Sequence, residues 1–224
     1  MGKPDPDKVA SIKAFFDELN QRIENLTNLN SNKCFRDEAL ILCLVYIDGL
    51  ASYYYKGGEV NERFCRALRE LGGNALFGKL HVKVLLGPDT DAHWAGPKTG
   101  ENGAKAKLAV EELARGKQGQ LLDESEVAAQ IRSSGVDRAT GQLIINHLWR
   151  SSIGAICYEM RNSAVHCLGT KTLTFDQTLY EGELGFALNF DVLHRALRHI
   201  SDHIAKESVD KGEWFGRKDY FKTR

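Results

Sequence analysis

The sequence predicts a mainly α protein: an up-and-down bundle of four or five core helices, with a helical insertion and a small β-hairpin after its longest helical run. Three observations carry this prediction. Apolar residues recur three and four positions apart through most of the chain, which is the period of a helix face. Strand-like alternation is weak and confined to 172–175 and 185–189. Glycine and proline cluster between 87 and 103 and mark a loop there between helical stretches. At 224 residues the chain is long enough for a substantial core, so we read 1–224 as a single domain with a loop and helical insertion at about 87–137.

Taken in order, Pro6 opens a helix expected over 6–28, with Val9, Ile12, Phe16, Leu19, Ile23 and Leu26 on one face. Residues 39–51 are apolar nearly all round, which on a helix means burial from several sides, and this run is read as the central helix. Asn61 is expected to cap a shorter helix through Leu71, and a further helix is expected over 75–86. Gly87 and Pro88 begin a stretch that also holds Gly96, Pro97, Gly100 and Gly103, and it should be a surface loop. Two short helices, 104–115 and 124–133, follow within the insertion. One long helix is then expected from Arg138 or Thr140 to His166, carrying Leu143, Ile144, Leu148, Ile153, Ile156, Met160 and Ala164 on its apolar face. After Gly169, the segments 172–175 and 185–189 flank Gly182 as a hairpin, and Asp191 caps a last helix with Val192, Leu193, Ala196, Leu197, Ile200 and Ile204 on one face.

Composition narrows the function classes. The 30 basic and 30 acidic side chains cancel, so affinity for nucleic acid has to come from a local patch. The five cysteines, Cys34, Cys43, Cys65, Cys157 and Cys167, include no Cys-x-x-Cys pair and sit mostly among apolar residues. They read as reduced core residues of a cytoplasmic protein. No apolar run reaches the roughly 18–20 residues of a membrane span, and 1–6 lacks the apolar core of a signal peptide.

The chemistry-bearing stretch is 158–166, which presents Arg161, Asn162 and His166 at the end of the longest helical run. An arginine holds a phosphate through two parallel charge-assisted hydrogen bonds, and a histidine with an ordinary pKa of about 6.5 exchanges protons near neutrality. Asn162 and His166 are four apart and share a helix face, so the amide can orient the ring. Arg161 and His166 are five apart, about 140° round a helix, and do not converge within one protomer. Convergence needs a second protomer or an uncoiled helix end. The bland reading of the same residues is an ordinary helix terminus, with Arg161 paired to a local carboxylate such as Glu159 or Asp176.

This arrangement resembles the Arg-polar-x-x-x-His motif of the HEPN family, small helical proteins many of which are ribonucleases of toxin, abortive-infection and other defence systems. The resemblance implies a metal-independent endoribonuclease without a cofactor, acting on RNA as a homodimer. It also implies Arg161, Asn162 and His166 as catalytic residues, and an antitoxin or sensor protein as a further partner. Family members silenced by nucleotide transfer carry a tyrosine two residues after the motif histidine, where this chain has Leu168. The alternative reading is a non-catalytic helical module that binds nucleic acid or protein. A second match, Arg198-His199-Ile200-Ser201-Asp202-His203, ranks lower because it lies inside a charged helix.

Four further features bear on function. Asp48 interrupts the most apolar helix, where an unpaired carboxylate is costly. It bonds nearby backbone, Tyr46 or Tyr53, or marks a polar edge of the bundle, or lies behind Arg161 and aims the guanidinium. Tyr158, three positions before Arg161, either touches substrate or a facing protomer or belongs to the core. His194, His199 and His203 lack a third ligand at metal spacing, so no metal site is assigned. The segment 213–224 interleaves aromatic and basic residues, which suits single-stranded nucleic acid or an ordered arm.

Overall fold

Nine α-helices and one two-stranded sheet account for most of the described chain in a computed structural model, so the fold is mainly α as expected. The structure describes residues 4–87, 94, 99–115, 121–167 and 190–214, and only the backbone at 163, 164, 166 and 167. Two compact units emerge, one of them running from Ala75 to Ile156 and the other formed by the chain before and after it. The insertion expected at about 87–137 lies inside the former unit.

In the unit formed by the two ends of the chain, α1 (Pro6–Ser31) begins where the Asp5 carboxylate accepts the amide of Asp7, with proline in the first turn. It runs three residues past Asn28, and the predicted stripe Ile12, Phe16, Leu19, Ile23 and Leu26 is its buried face. A short 3-10 turn, Lys33–Phe35, leads into α2 (Arg36–Tyr54). Here Leu40, Cys43, Leu44, Ile47 and Ala51 are buried against α1, α3 (Val60–Leu71) and the last described helix, Phe190–Lys211. Burial is not all round, however. Leu42, Val45 and Tyr53 are 36%, 37% and 44% exposed, because three neighbouring helices do not cover the strip that these residues form.

Two residues expected as caps lie inside their helices. α3 starts at Val60 with Glu59 at its cap, and the Asn61 side chain accepts the next amide, that of Glu62, at 2.7 Å. Asp191 lies in the first turn of the last helix and not at its cap. Of the predicted face of that helix, Leu193, Ala196, Leu197, Ile200 and Ile204 are buried and Val192 is half-buried, and His194 and Ser201 are buried beside them.

The other unit departs further from expectation. The single helix expected over 75–86 is a 3-10 turn (Ala75–Gly78), a short strand β1 (Leu80–His81) and a short helix α4 (Val82–Leu86). The break follows from His81, whose extended backbone lets its imidazole Nδ1 accept the amide of Val84 at 3.4 Å and cap α4. β1 pairs antiparallel with β2 (Leu121–Leu122), placing Leu80 opposite Leu122, both fully buried. α5 (Gly100–Arg115) starts four residues earlier than expected, while α6 (Glu124–Ser133) has the expected bounds.

Trp94 overturns the surface-loop reading at its own position. It is 1% exposed, packs in the core with Leu85, Val110 and Ile131, and donates its indole N–H to the Leu85 carbonyl at 2.8 Å. Gly103 is dictated by this packing, because a Cβ there would sit 1.4 Å from the Trp94 carbonyl oxygen.

The long helix expected from 138 or 140 to 166 is likewise two. α7 (Arg138–Ile145) starts on an Asp137 carboxylate that accepts the amide of Thr140 at 2.9 Å, and a 3-10 turn, Leu148–Ser151, follows it. Ser152 is extended, its hydroxyl accepts the amide of Ala155 at 3.2 Å, and α8 (Ile153–Cys167) begins there. The Ile153 amide donates to the Lys79 carbonyl at 2.9 Å, so the backbone is drawn out of a continuous helix by a partner far away in sequence. The last helix, Phe190–Lys211, is α9. The hairpin expected over 172–189 lies outside the described residues.

Candidate functional site

Asp48 and Arg161 come together. Arg161, on the part of α8 beyond residue 156, donates from Nη2 to the Asp48 Oδ2 on α2 at 2.6 Å. Their side chains are 19% and 11% exposed, so the two charges are largely out of water and each requires the other. Of the alternatives weighed for Asp48, contact with Arg161 is the one observed. The carboxylate of Glu159, offered as a local partner for Arg161, is not used in this pair.

The pairing is one-sided. Asp48 Oδ1 and Arg161 Nε are both buried without a hydrogen-bond partner among the described residues. Arg161 Nη1 donates to the Asn162 amide oxygen at 3.1 Å. That oxygen therefore serves the guanidinium next to it. The side chain of His166 lies outside the described residues; its backbone continues α8, so the angular offset of about 140° from Arg161 stands.

Tyr158 packs its ring 5.4 Å from that of Phe64 on α3 and is half-buried, which fixes one side of α8. The neighbouring thiols are inert. Burial pushes Cys43 and Cys65 up to about 12, and pushes Cys157 up as well, so none of the three is a thiolate at neutral pH.

The second motif match is dispersed. Arg198 pairs with Glu24 at 2.7 Å on an exposed surface, and His199 lies against Gly73. The ring of His203 faces Tyr54, with its Nε2 3.8 Å from the Glu207 carboxylate. His194 is buried, with Nε2 2.9 Å from the Ile23 carbonyl. Among the described residues no three His, Cys, Asp or Glu side chains are grouped to hold a metal.

Sequence reasoning offered Arg161 as a partner for Asp48 but did not find the contact of Arg161 with Asn162, nor the groove left between α1 and α2. The signal for the groove was present in the excess of apolar residues on α2 over what its neighbours cover. Comparison of the chain with protein-family models, curated proteins and solved structures finds no match. No helix among the described residues is long and apolar enough to cross a membrane.

Proposed function

We propose that the chain is an endoribonuclease of the HEPN type, acting as a two-fold homodimer in a defence or toxin–antitoxin setting. The observation that supports it most is the Asp48–Arg161 pair, which holds a guanidinium in one orientation on the helix that also carries Asn162 and His166. A pre-aimed arginine loses little freedom when it meets a phosphate, and charge building on the phosphoryl oxygens is the charge it stabilises.

In the proposed reaction one His166 takes the proton of the ribose 2′-hydroxyl, and the oxygen attacks the adjacent phosphorus. The bond from phosphorus to the 5′-oxygen breaks, that oxygen takes up a proton from solvent, to which His166 later returns its own, and a 2′,3′-cyclic phosphate remains. The second protomer is needed because one helix points Arg161 and His166 apart. General acid–base help of this kind contributes about 10²–10⁴-fold.

The test is a gel of mixed cellular RNA incubated with purified protein in EDTA, beside His166→Ala and Arg161→Lys. Cleavage to cyclic-phosphate ends by the wild type alone supports the proposal, and intact RNA in every lane overturns it. One observation favours a second reading, a non-catalytic module that binds nucleic acid or protein. Arg161 is largely buried with both terminal nitrogens engaged, as a purely structural ion pair would be. Binding without cleavage in the same experiment selects that reading.

A further inference from the structure

α2 carries a face that none of its neighbouring helices covers. At about 100° per residue, Glu38, Leu42, Val45 and Gly49 fall within about 60° of one another and form one strip along about three turns. Leu42 and Val45 are 36% and 37% exposed, and a Cβ added at Gly49 would meet no neighbouring group within 4 Å. On the α1 side the strip borders a groove of about 400 Å³, which Val45, Tyr46 and Gly49 line. On the opposite side, turned about 60° from Val45, lies Asp48 with Arg161. Val165, one turn beyond Arg161 on the same face of α8, is 40% exposed, so apolar surface continues past the ion pair.

This strip is complementary to itself. Val45 is a knob and Gly49, one turn on, is a hollow, and a knob beside a hollow fits its own copy when two such helices cross antiparallel about a two-fold axis. An axis set at residue 47 lays Val45 over Gly49 of the partner, because 45 and 49 are equally far from 47. The same axis brings Glu38 to Lys56 of the partner, since 38 and 56 are also centred on 47. Glu38, in the first turn of α2, and Lys56, just past its last residue, are both exposed and have no ion-pair partner among the described residues. The antiparallel register gives each of them the opposite charge it lacks.

We propose that a second copy of this chain docks on this strip, α2 against α2 and antiparallel. A two-fold axis lying across the crossing keeps like flanks on the same side, so both Asp48–Arg161 pairs lie on one flank of the dimer, with the two Val165 side chains beside them. The docking thus supplies the two-protomer reaction proposed above, on which its functional meaning rests, with the surface that assembles the composite site.

Gly49→Gln separates docking from folding, since the protomer has room for the added Cβ whereas Val45 of the partner leaves none. Sedimentation equilibrium should show a wild-type dimer, and a dissociation constant higher by about tenfold or more for Gly49→Gln with unchanged circular dichroism. Equal constants in two folded proteins overturn the proposal. So does a wild type that stays monomeric up to about 100 μM, which leaves the strip to a foreign partner. A second measurement holds even if Gly49→Gln does not fold. Val45→Cys and Gly49→Cys proteins, each in a Cys34→Ser background, are oxidised mildly alone and as a mixture, and the disulfides are mapped by peptide mass. The mixed 45–49 interchain link is expected to predominate; a predominance of 45–45 or 49–49 links, or no link at all, overturns the proposal. Intact RNA beside a protein that forms the 45–49 link removes the nuclease reading and leaves the docking in place, and cleavage by a protein that forms no such link does the reverse.

Discussion

Asp48 and Arg161 are each unfavourable where they are, and stable only as a pair. Removing one partner leaves a buried charge uncompensated, whereas removing both leaves an apolar gap that neighbouring side chains can fill. Asp48→Ala is therefore expected to cost about 3–5 kcal/mol in urea unfolding, and the double change Asp48→Leu with Arg161→Met to fall within about 1 kcal/mol of the wild type. A single change within about 0.5 kcal/mol of the wild type would mean that water reaches the pair and screens it. If Asp48 also aims the guanidinium for phosphate, Asp48→Asn should keep the fold and lower the cleavage rate. A rate unchanged in that variant assigns Asp48 to the scaffold. The pair was half legible in the sequence. A lone acid in an apolar helix demands a cation, but nothing in the sequence said that Asn162, next to Arg161, would hold the other terminal nitrogen.

At the scale of elements, α2 and α9 are joined by a titratable contact as well as by apolar packing. The Tyr54 hydroxyl on α2 donates to the Glu207 carboxylate on α9, which also accepts from Lys211. The Lys211 ammonium, and after it the Tyr54 hydroxyl, holds Glu207 below the usual carboxylate range. A carboxylate depressed in the folded state stabilises it above the unfolded pKa of about 4.3, and that contribution is lost as pH falls through the lower folded value. Burial, and then Glu207, pushes Tyr54 up to about 12, so its neutral form stabilises the fold below about 10 and that contribution is lost as pH rises toward 12. Glu207→Gln should thus melt lower than the wild type at pH 7, by about 1 kcal/mol of stability, with the gap closing below pH 4. A gap that persists at pH 3 would show that lost packing, and not lost charge, is responsible.

Gly103→Ala tests the other unit, because its Cβ would collide with backbone at Trp94 and not with a yielding side chain. A loss of about 3 kcal/mol or more is expected by chemical denaturation, and a neutral result would mean that Trp94 sits elsewhere. These same elements show what period and composition conveyed. α1, α3, α6 and α9 were legible because one apolar stripe faces one core. The break before α8 was not, since apolar residues continue through it from Ile144 and Leu148 to Ile153 without a proline, and the Lys79 carbonyl that draws Ile153 out is distant in sequence. Trp94 was hidden for the opposite reason: its glycine- and proline-rich surroundings read as solvent-exposed, while the indole found a buried carbonyl.

For the whole molecule, the balance of 30 basic and 30 acidic side chains leaves no general field to attract RNA, so the proposed activity depends on what two protomers assemble. That dependence is testable without a structure of the dimer. Arg161→Ala and His166→Ala should each be inactive as homodimers, because each lacks one half of every composite site. If one protomer's Arg161 acts with its partner's His166, a mixed dimer of the two variants contains one site with both residues intact and one with neither. Random exchange at equal concentrations makes about half the dimers mixed, so about one quarter of wild-type activity should return on mixing. No recovery after exchange has been verified by sedimentation would place both residues of a working site in one protomer, or leave the chain without this activity. Recovery in the mixture, with neither variant active alone, ties the reaction to the interface.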